Sequence, residues 1–213
     1  MPTFKVLENR SLTSDTFVLR TERPPQEIKA GQCFSVGTSS LGINREYSMY
    51  SGADDHYLDF LIRKVADGRV SCKLHSLSPG ELVEIGGPYG EFCLTQTHIE
   101  SKYLFIASGT GIAPFHSFVK SFPELNYEIL HGVRYENEKY DQQVYQNGRY
   151  FPAISRPSGG GKGQRVTDLL LARDFDPSEK VYLCGNRSMI IDCVEILRSR
   201  GISGDSIFME TFF

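Results

Sequence analysis

Arg45, Tyr47 and Ser48 place a cation, a flat aromatic ring and a small hydroxyl within four residues. The segment is a predicted strand, so Arg45 and Tyr47 point to one side and Ser48 to the other. A guanidinium can hold a pyrophosphate, an aromatic ring can stack on a fused ring system, and a hydroxyl can hydrogen-bond to a ring nitrogen. Together these groups suit a flavin nucleotide. The alternative is an ordinary strand with a buried tyrosine.

A second candidate anion site lies downstream, in the segment Gly68–Ser71. Val70, Leu74 and Leu77 have helical spacing, so this segment opens the helix predicted over 70–77. Backbone N–H groups at the start of a helix can receive a phosphate. An ordinary capped helix would have the same pattern.

A glycine turn, Gly109-Thr110-Gly111, follows the apolar run 103–107 and leads into a helix predicted from Pro114 to Phe122. A strand, a glycine turn and a helix in this order let backbone amides approach a phosphate. Taken alone, the pattern also fits a tight connection that binds nothing.

Basic residues cluster after the next predicted strands. Arg134 follows the strand predicted over 127–133, and Arg156, Lys162 and Arg165 flank or lie in the Gly-rich loop 158–163. In dinucleotide folds an acid binds the ribose of NAD, whereas an arginine accommodates the 2′-phosphate of NADP. The cluster therefore favours NADP, although arginines on a loop are most often a solvated surface.

The elements that must position these residues differ between the two halves of the chain. Six short alternating runs precede residue 95 and predict an antiparallel barrel or sandwich. After residue 99, strands alternate with helices, which predicts a parallel sheet. The runs of the first half begin near Phe4, Thr16, Cys33, Arg45, Tyr57 and Leu82, and those of the second near Tyr103, Tyr127, Lys180 and Ile207, with helices from Pro114 and from Ser188 to Arg200.

Composition excludes several other classes of protein. The 213 residues carry a net charge of −3 and no basic block, so nucleic acid is not the expected partner. No window reaches the ~20 apolar residues of a membrane span and the first ten residues do not resemble a secretory signal, so a cytoplasmic protein is expected. Five widely spaced cysteines fit neither a disulfide framework nor close-spaced metal ligands.

Over residues 4–213 the chain resembles the ferredoxin-NADP reductases, of the bacterial-like type, within a wider superfamily of flavin-dependent reductases. Five motifs carry the resemblance, and they occur in the order found in that family. They are Arg45-x-Tyr47-Ser48, Gly68-x-x-Ser71, Gly109 to Pro114, Cys184-Gly185-Asn186-x-x-Met189, and the ending Glu210-Thr211-Phe212-Phe213.

The resemblance implies two domains. Residues 1–97 would form a six-stranded Greek-key β-barrel that binds FAD, and residues 98–213 a Rossmann-like α/β domain with a five-stranded parallel sheet that binds NADP. The implied reaction is hydride transfer from NADPH to flavin N5 and single-electron exchange with ferredoxin or flavodoxin, in either direction.

The resemblance also implies roles for individual residues. Ser48, Cys184 and Glu210 would be catalytic: Ser48 would bond near the flavin N5, Cys184 would approach the nicotinamide, and Glu210 would support hydride or proton movement. Arg45 and Ser71 would hold the FAD pyrophosphate and Tyr47 would stack on the flavin ring. Cofactor binding further involves Gly68, Val70, Gly109, Thr110, Gly111, Pro114, Arg134, Ser155, Arg156, Arg165, Gly185, Met189, Phe212 and Phe213, with Ser155-Arg156 as the pair that marks NADP specificity.

The ending departs from the family, which often has a terminal tyrosine or tryptophan. Phe212 or Phe213 would keep the stacking and lose any hydroxyl contact, and the adenine is expected near the C-terminus, with Phe213 as its candidate contact. Three functions remain open at this point. They are ferredoxin-NADP reductase, the reductase component of an oxygenase or a free-flavin reductase, and a nucleotide-binding subunit without turnover.

Overall fold

The computed structural model describes residues 1–94 and 101–212, which form two compact units. The first unit contains residues 1–94 together with the helix Ala113–Ser121, and the second contains the other described residues. The domain boundary expected between residues 97 and 98 lies outside the described residues.

The first unit is built from six antiparallel strands, as predicted. They are β1 (Thr3–Ser11), β2 (Thr16–Glu22), β3 (Cys33–Thr38), β4 (Ile43–Ser48), β5 (Tyr57–Arg63) and β6 (Leu82–Tyr89), in the order β4-β3-β6-β1-β2-β5. The two outer strands of this sheet meet through an antiparallel bridge between Met49 and Phe60. The bridge closes the sheet into a barrel, so the expected antiparallel barrel is confirmed.

The barrel interior is apolar and one short helix covers part of it. Phe17, Phe34 and Phe60 are wholly buried in one cluster, which also contains Val70 and Leu74 of helix α1 (Arg69–His75). The side-chain amide of Asn9 donates to the carbonyls of Leu74, His75 and Leu77 at 2.9–3.1 Å. Carbonyls at the C-terminal end of a helix lack intrahelical donors, and here the Asn9 amide supplies hydrogen bonds to them.

Polar contacts attach helix α2 (Ala113–Ser121) to the barrel. Lys120 Nζ lies 2.5 Å from a carboxylate oxygen of Asp55. The ring of His116 stacks on Tyr50 with centroids 3.7 Å apart, and the hydroxyl of Ser121 accepts a hydrogen bond from the Ala53 amide at 2.8 Å. The helix is therefore part of the first unit, although its sequence follows a strand of the second.

The second unit contains a five-stranded parallel sheet, which confirms the expected fold. Its strands are β7 (Lys102–Ser108), β8 (Asn126–Val133), β9 (Tyr150–Ile154), β10 (Lys180–Asn186) and β11 (Ile207–Phe212), in the order β11-β10-β7-β8-β9. Helices α3 (Val166–Ala172) and α4 (Arg187–Ser199) pack on a face of aliphatic side chains such as Leu104, Ile106 and Leu183. Strand β9 and helix α3 were not located by the sequence analysis.

A buried charge cluster lies at the amino edge of this sheet. The carboxylate of Glu179 is wholly buried. It accepts two hydrogen bonds from the Arg173 guanidinium, at 2.7 and 3.1 Å, and forms an ion pair with Lys102 at 2.8 Å. Burial alone would raise the pKa of Glu179, but the two cations outweigh it and the pKa lies below its usual value. Arg173 also pairs with Glu128 at 2.7 Å, so the cluster joins β7, β8 and the start of β10.

The longest helix in the described part of the chain has 13 residues. None of the described helices combines the length and the hydropathy that crossing a bilayer requires.

Candidate functional site

The carboxyl edge of the parallel sheet brings together three of the predicted motifs. The glycine turn follows β7 and begins with Gly109 in a left-handed conformation (φ +54°). Gly111 lies against the end of β10, where a Cβ atom would overlap the Cys184 carbonyl oxygen and lie 2.7 Å from the Gly185 Cα. Glycine is therefore required at this point because two backbones are in direct contact.

The end of β10 also requires a glycine, at Gly185, because the end of β7 lies against it. Gly185 has a φ of +140°, and a Cβ atom there would overlap the hydroxyl oxygen of Ser108. That hydroxyl accepts a hydrogen bond from the Asn186 amide at 3.0 Å, and the Asn186 side chain caps α4 by accepting from the Met189 amide at 3.1 Å. The segment 184–189 thus fixes how β7, β10 and α4 meet.

Cys184 and Glu210 are neighbours across the parallel strands β10 and β11. The Cys184 thiol is wholly buried and donates to a carboxylate oxygen of Glu210 at 3.8 Å. Burial raises the pKa of Cys184 well above its usual value, and the negative charge of Glu210 raises it further. The sulfur therefore stays protonated at neutral pH and is a hydrogen-bond donor rather than a nucleophile.

Phe212 closes the same edge. It pairs with Asn186 in the β10–β11 register and is half-buried. Phe213 lies outside the described residues. Glycine turn, thiol, carboxylate and aromatic ring therefore come from three adjacent strands whose carboxyl ends share one edge, where ligands of open α/β sheets bind.

Three of the residues expected to prefer NADP, Arg134, Ser155 and Arg156, lie at the adjoining ends of β8 and β9. The Arg156 amide donates to the Arg134 carbonyl at 2.8 Å, and the amide and hydroxyl of Ser155 both donate to the Val133 carbonyl. The loop after β9 returns to the same place, since the Gln164 amide donates to the Ile154 carbonyl at 2.8 Å. Its last residue, Arg165, begins α3.

The side chains of Arg134, Arg156 and Arg165 are all exposed. The Arg156 guanidinium approaches the hydroxyl of Tyr135 at 3.5 Å, a weak contact that leaves most of its donors to solvent. The two nearby carboxylates accept hydrogen bonds from backbone amides. Glu138 accepts from the Arg134 amide at 2.6 Å, and Asp168 accepts from the Arg165 amide at 2.8 Å. This set of cations fits a phosphate dianion.

His131 on β8 also belongs to this site, although no sequence pattern predicts it. It is wholly buried, its Nε2 lies 2.8 Å from the Gly109 carbonyl oxygen, and its Nδ1 lies 2.8 Å from the Tyr150 hydroxyl. Burial lowers the pKa of His131 to about 4, although the bond to Gly109 opposes this. A histidine inside a strand carries no local sequence signal, because both of its partners are distant in sequence.

In the barrel, the three residues of the first motif occupy β4 as predicted. Arg45 is exposed and donates to the Asn44 carbonyl at 2.9 Å, whereas Ser48 is only 3% exposed. Tyr47 is half-buried against the barrel core, and burial raises its pKa to about 12 despite the nearby charge of Arg45. An exposed cation beside a half-buried aromatic ring fits one phosphate-bearing and one ring-bearing part of a dinucleotide.

The second barrel motif forms a compact loop before α1, which lies beside β4. The Ser71 hydroxyl accepts from the Val65 amide at 3.1 Å and is 3.4 Å from the Gly68 carbonyl. A Cβ atom at Gly68 would lie 2.7 Å from that hydroxyl oxygen, so the loop needs glycine here. Val70 is buried beneath the first turn, where helical amides have no intrahelical acceptor and fit a phosphate.

Two family models match the chain. The oxidoreductase FAD-binding domain matches residues 3–93, and the oxidoreductase NAD-binding domain matches residues 105–195. The two ranges lie on either side of the expected boundary.

Relatives of two kinds are similar to the chain. A ferredoxin-NADP reductase of Azotobacter vinelandii is 29% identical, and the alignment covers 93% of this chain and 89% of the relative. The electron transfer component of toluate 1,2-dioxygenase from Pseudomonas putida is 28% identical over 85% of this chain. The chain spans only 58% of the length of that component.

Solved structures agree with the fold. The chain matches a cytochrome P450 reductase of Amycolatopsis with a TM-score of 0.84 and 26% identity, covering 99% of this chain and 69% of that one. It matches a ferredoxin NADP+ reductase of Neisseria gonorrhoeae, solved with FAD and NADP bound, with a TM-score of 0.83 and 22% identity, covering 100% and 98%. With its barrel, its parallel sheet and both family domains in sequence order, the chain belongs to the ferredoxin-NADP reductase family of FAD- and NAD(P)-binding oxidoreductases.

Proposed function

We propose that the protein is an FAD-dependent reductase that transfers electrons between NADPH and a one-electron carrier protein, ferredoxin or flavodoxin. The observation that carries this proposal is the carboxyl edge of the parallel sheet. There the glycine turn, the Cys184–Glu210 pair and Phe212 share one edge, and the arginine cluster follows the next two strands. We assign the flavin to a domain within residues 1–97 and the coenzyme to one within residues 98–213.

The barrel residues act by binding and orienting. Arg45 would balance part of the pyrophosphate charge and the first amides of α1 would donate hydrogen bonds to it. Ser71 keeps the loop before α1 in place through its bond to Val65, and Tyr47 would supply a ring face. Ser48 offers a hydroxyl on the other side of β4. When bound, FAD supplies the conversion between two-electron and one-electron transfer.

The residues of the sheet edge manage the coenzyme and a proton. The first amides of the turn that begins at Gly109 would receive its pyrophosphate, and Gly185 and Met189 maintain the end of β10 against that turn. Pro114 starts the helix after the turn. The Cys184 thiol holds its proton towards Glu210, so the carboxylate keeps a fixed donor and a defined orientation at the end of β11. We propose that Glu210 in this orientation supports hydride or proton movement.

The preference for NADPH rests on four residues. Arg134, Arg156 and Arg165 present exposed cations at the ends of β8 and β9, and Ser155 joins those two strand ends. A 2′-phosphate would receive charge-assisted hydrogen bonds there, whereas the ribose hydroxyl of NADH would receive none of comparable strength.

A second candidate is the reductase component of an oxygenase, which is favoured by the similarity to the toluate dioxygenase component. A related possibility is a reductase of free flavin. Retention of FAD through gel filtration contradicts the free-flavin version. Comparing reduction rates of ferredoxin, flavodoxin and an oxygenase component separates the remaining two.

The direct experiment is a visible spectrum of the purified protein, followed by anaerobic titration with NADPH and then NADH. We expect a yellow protein that NADPH bleaches at a lower concentration than NADH. A colourless protein that does not take up added FAD would contradict the proposal.

Arg156→Ala tests the coenzyme preference. We expect the KM for NADPH to rise by about tenfold, because about 1.4 kcal/mol of phosphate binding is lost, while the KM for NADH stays nearly unchanged. The control is Arg198→Ala, which removes an exposed arginine on α4 outside the cluster. Equal losses for both coenzymes would mean that Arg156 is structural.

A further inference from the structure

We infer that His131 is a positioning residue for coenzyme binding: through the Gly109 carbonyl it aims the Thr110 amide at the coenzyme pyrophosphate. The inference rests on the proposed function, and neither the family domains nor the sequence motifs assign a role to this histidine. It begins from the two contacts of the ring, at 2.8 Å to the Gly109 carbonyl oxygen and 2.8 Å to the Tyr150 hydroxyl.

The first contact fixes the protons of the ring. A carbonyl oxygen can only accept, so Nε2 must carry a hydrogen and donate it to Gly109. A neutral imidazole then has a lone pair on Nδ1, and the Tyr150 hydroxyl must donate to it. The ring stays neutral because it is wholly buried. One arrangement of hydrogens therefore satisfies every polar atom of the His131 and Tyr150 side chains.

The second step follows from the planarity of the peptide bond. In a trans peptide the C=O of one residue and the N–H of the next point in opposite directions. The Gly109 carbonyl points at His131, in the interior, so the Thr110 N–H points away from it. A Cβ atom built on Gly109 would have no heavy atom within 4 Å outside the adjoining residues, so the turn is open beside Gly109. We infer that the Thr110 amide is directed to this open side, where an anion can approach.

The third step concerns the freedom that this contact removes. Gly109 has a φ of +54°, a region that glycine enters and leaves easily, and it begins a single 3₁₀ segment, Gly109–Ile112. Hydrogen-bond geometry in such a segment is poorer than in an α-helix, so the first peptide gains from a further restraint. A hydrogen bond from a buried donor supplies that restraint. The donor is itself held, because Tyr150 lies on β9 and its ring stacks on Tyr145 with centroids 5.0 Å apart. The chain β9–His131–Gly109 thus preorganises the turn, and preorganisation increases affinity by lowering the ordering cost.

Steady-state kinetics of three variants of the FAD-loaded protein test the inference. His131→Leu removes the donor and should raise the KM for NADPH and for NADH by the same factor, about tenfold or about 1.4 kcal/mol, with kcat at saturating coenzyme nearly unchanged. His131→Gln offers an N–H at a similar distance along the side chain and should restore most of the affinity. Tyr150→Phe removes the donor to Nδ1 but leaves the imidazole beside Gly109, so it should raise both KM values by less than His131→Leu does.

Nuclear magnetic resonance separates this inference from the proposed function. In the wild-type protein we expect ¹⁵N shifts of a histidine protonated at Nε2 only, and a shift of the Thr110 amide when inorganic pyrophosphate is added. That amide shift should be absent in His131→Leu and present in His131→Gln. A protein that shows these signals but is not reduced by NADPH would contradict the proposed function and leave the positioning role supported.

Three results would overturn the inference. They are a Thr110 amide that does not respond to pyrophosphate in the wild-type protein, a His131→Gln variant as impaired as His131→Leu, and an effect on NADPH alone. If His131→Leu does not fold, the ¹⁵N signature and the pair of His131→Gln and Tyr150→Phe still decide the outcome.

Discussion

The two loops that we propose to bind phosphate are built in different ways. In the barrel, the loop before α1 is held by neighbours in sequence: Ser71 bonds to the Val65 amide and packs on Gly68, all within seven residues. In the second unit, the turn after β7 is held by residues far away in sequence. Gly111 rests on the backbone of β10, and Gly109 is bonded to His131 of β8.

The difference determines whether a loop's structure can be predicted from its own short motif. A local loop can be recognised from a short motif, because the residues that shape it are the residues of the motif. A loop supported by other strands has the same short motif whether or not its supports exist. We expect FAD affinity at the barrel to depend on the charge of Arg45 on β4, which lies beside α1, and the sheet turn to depend on backbone packing.

The largest effect is expected where two backbones touch. Gly111→Ala would place a methyl group on the Cys184 carbonyl, and overpacking of this kind destabilises by about 1–3 kcal/mol or more. Urea unfolding should show the loss. Gly159→Ala is the control, because a Cβ there meets no atom and should change stability by less than about 0.5 kcal/mol. Equal stability of the two variants would mean that the turn is not held by β10.

The second-largest effect is expected from acid, which should lower the free energy of unfolding through His131. The pKa of His131 is about 4 when folded and 6.5 ordinarily, so the unfolded chain takes up a proton first as the pH falls. Stability is therefore complete above pH 6.5 and decreases towards pH 4, by up to about 3 kcal/mol at about 1.4 kcal/mol for each pKa unit. Denaturant midpoints of the wild-type protein and His131→Gln should converge as the pH falls. Parallel pH profiles would exclude His131 as the cause.

The charge-dependent side of the comparison is tested by Arg45→Ala. We expect FAD to bind about 10- to 150-fold more weakly, because a charge-assisted hydrogen bond to phosphate is worth about 1.5–3 kcal/mol. Arg23→Ala removes another arginine of the same unit, one that donates to the Asp55 carbonyl at 3.2 Å, and should leave FAD affinity unchanged. Fluorescence titration of apoprotein with FAD measures both. If both variants lose FAD equally, the effect comes from net charge and not from β4.

The smallest effect concerns the aromatic ring at the end of β11. If Phe212 occupies the position that nicotinamide must take, Phe212→Ser should tighten NADP⁺ binding a few-fold and slow turnover through slower release. Phe208→Ser is matched to it, since Phe208 lies on the same strand but stacks on Tyr182 with centroids 4.6 Å apart. Stopped-flow reduction and NADP⁺ titration of both variants give the answer. Unchanged affinity in Phe212→Ser means that the ring contributes packing alone.

The same distinction explains what the sequence could predict of the fold. Six short apolar runs bounded by turn residues predict six strands, and each run overlaps one observed barrel strand. The ends differ, since β4 begins at Ile43 where the prediction began at Arg45. Strand β9 was missed because it has five residues and contains Pro152, which signals against a strand. The sheet tolerates that proline because β9 is an edge strand.

The candidate site divides in the same way. Arg45, Tyr47, Ser48 and Gly68 lie in motifs whose chemistry is local, and their positions on β4 and before α1 follow from the sequence. The pairing of Cys184 with Glu210 depends on the register of β10 and β11, which a resemblance suggests but spacing does not determine. His131 depends on Gly109 and Tyr150 at once, and no pattern within β8 indicates it.

The buried Glu179 cluster has a consequence for how such a protein can diversify. Removing one cation from a buried carboxylate is costly, so the amino edge of the sheet tolerates little change. The exposed arginines at the opposite edge are free of that constraint. If those arginines select the coenzyme as proposed, substitutions there should change nucleotide preference while the ion cluster at the other end keeps the sheet folded.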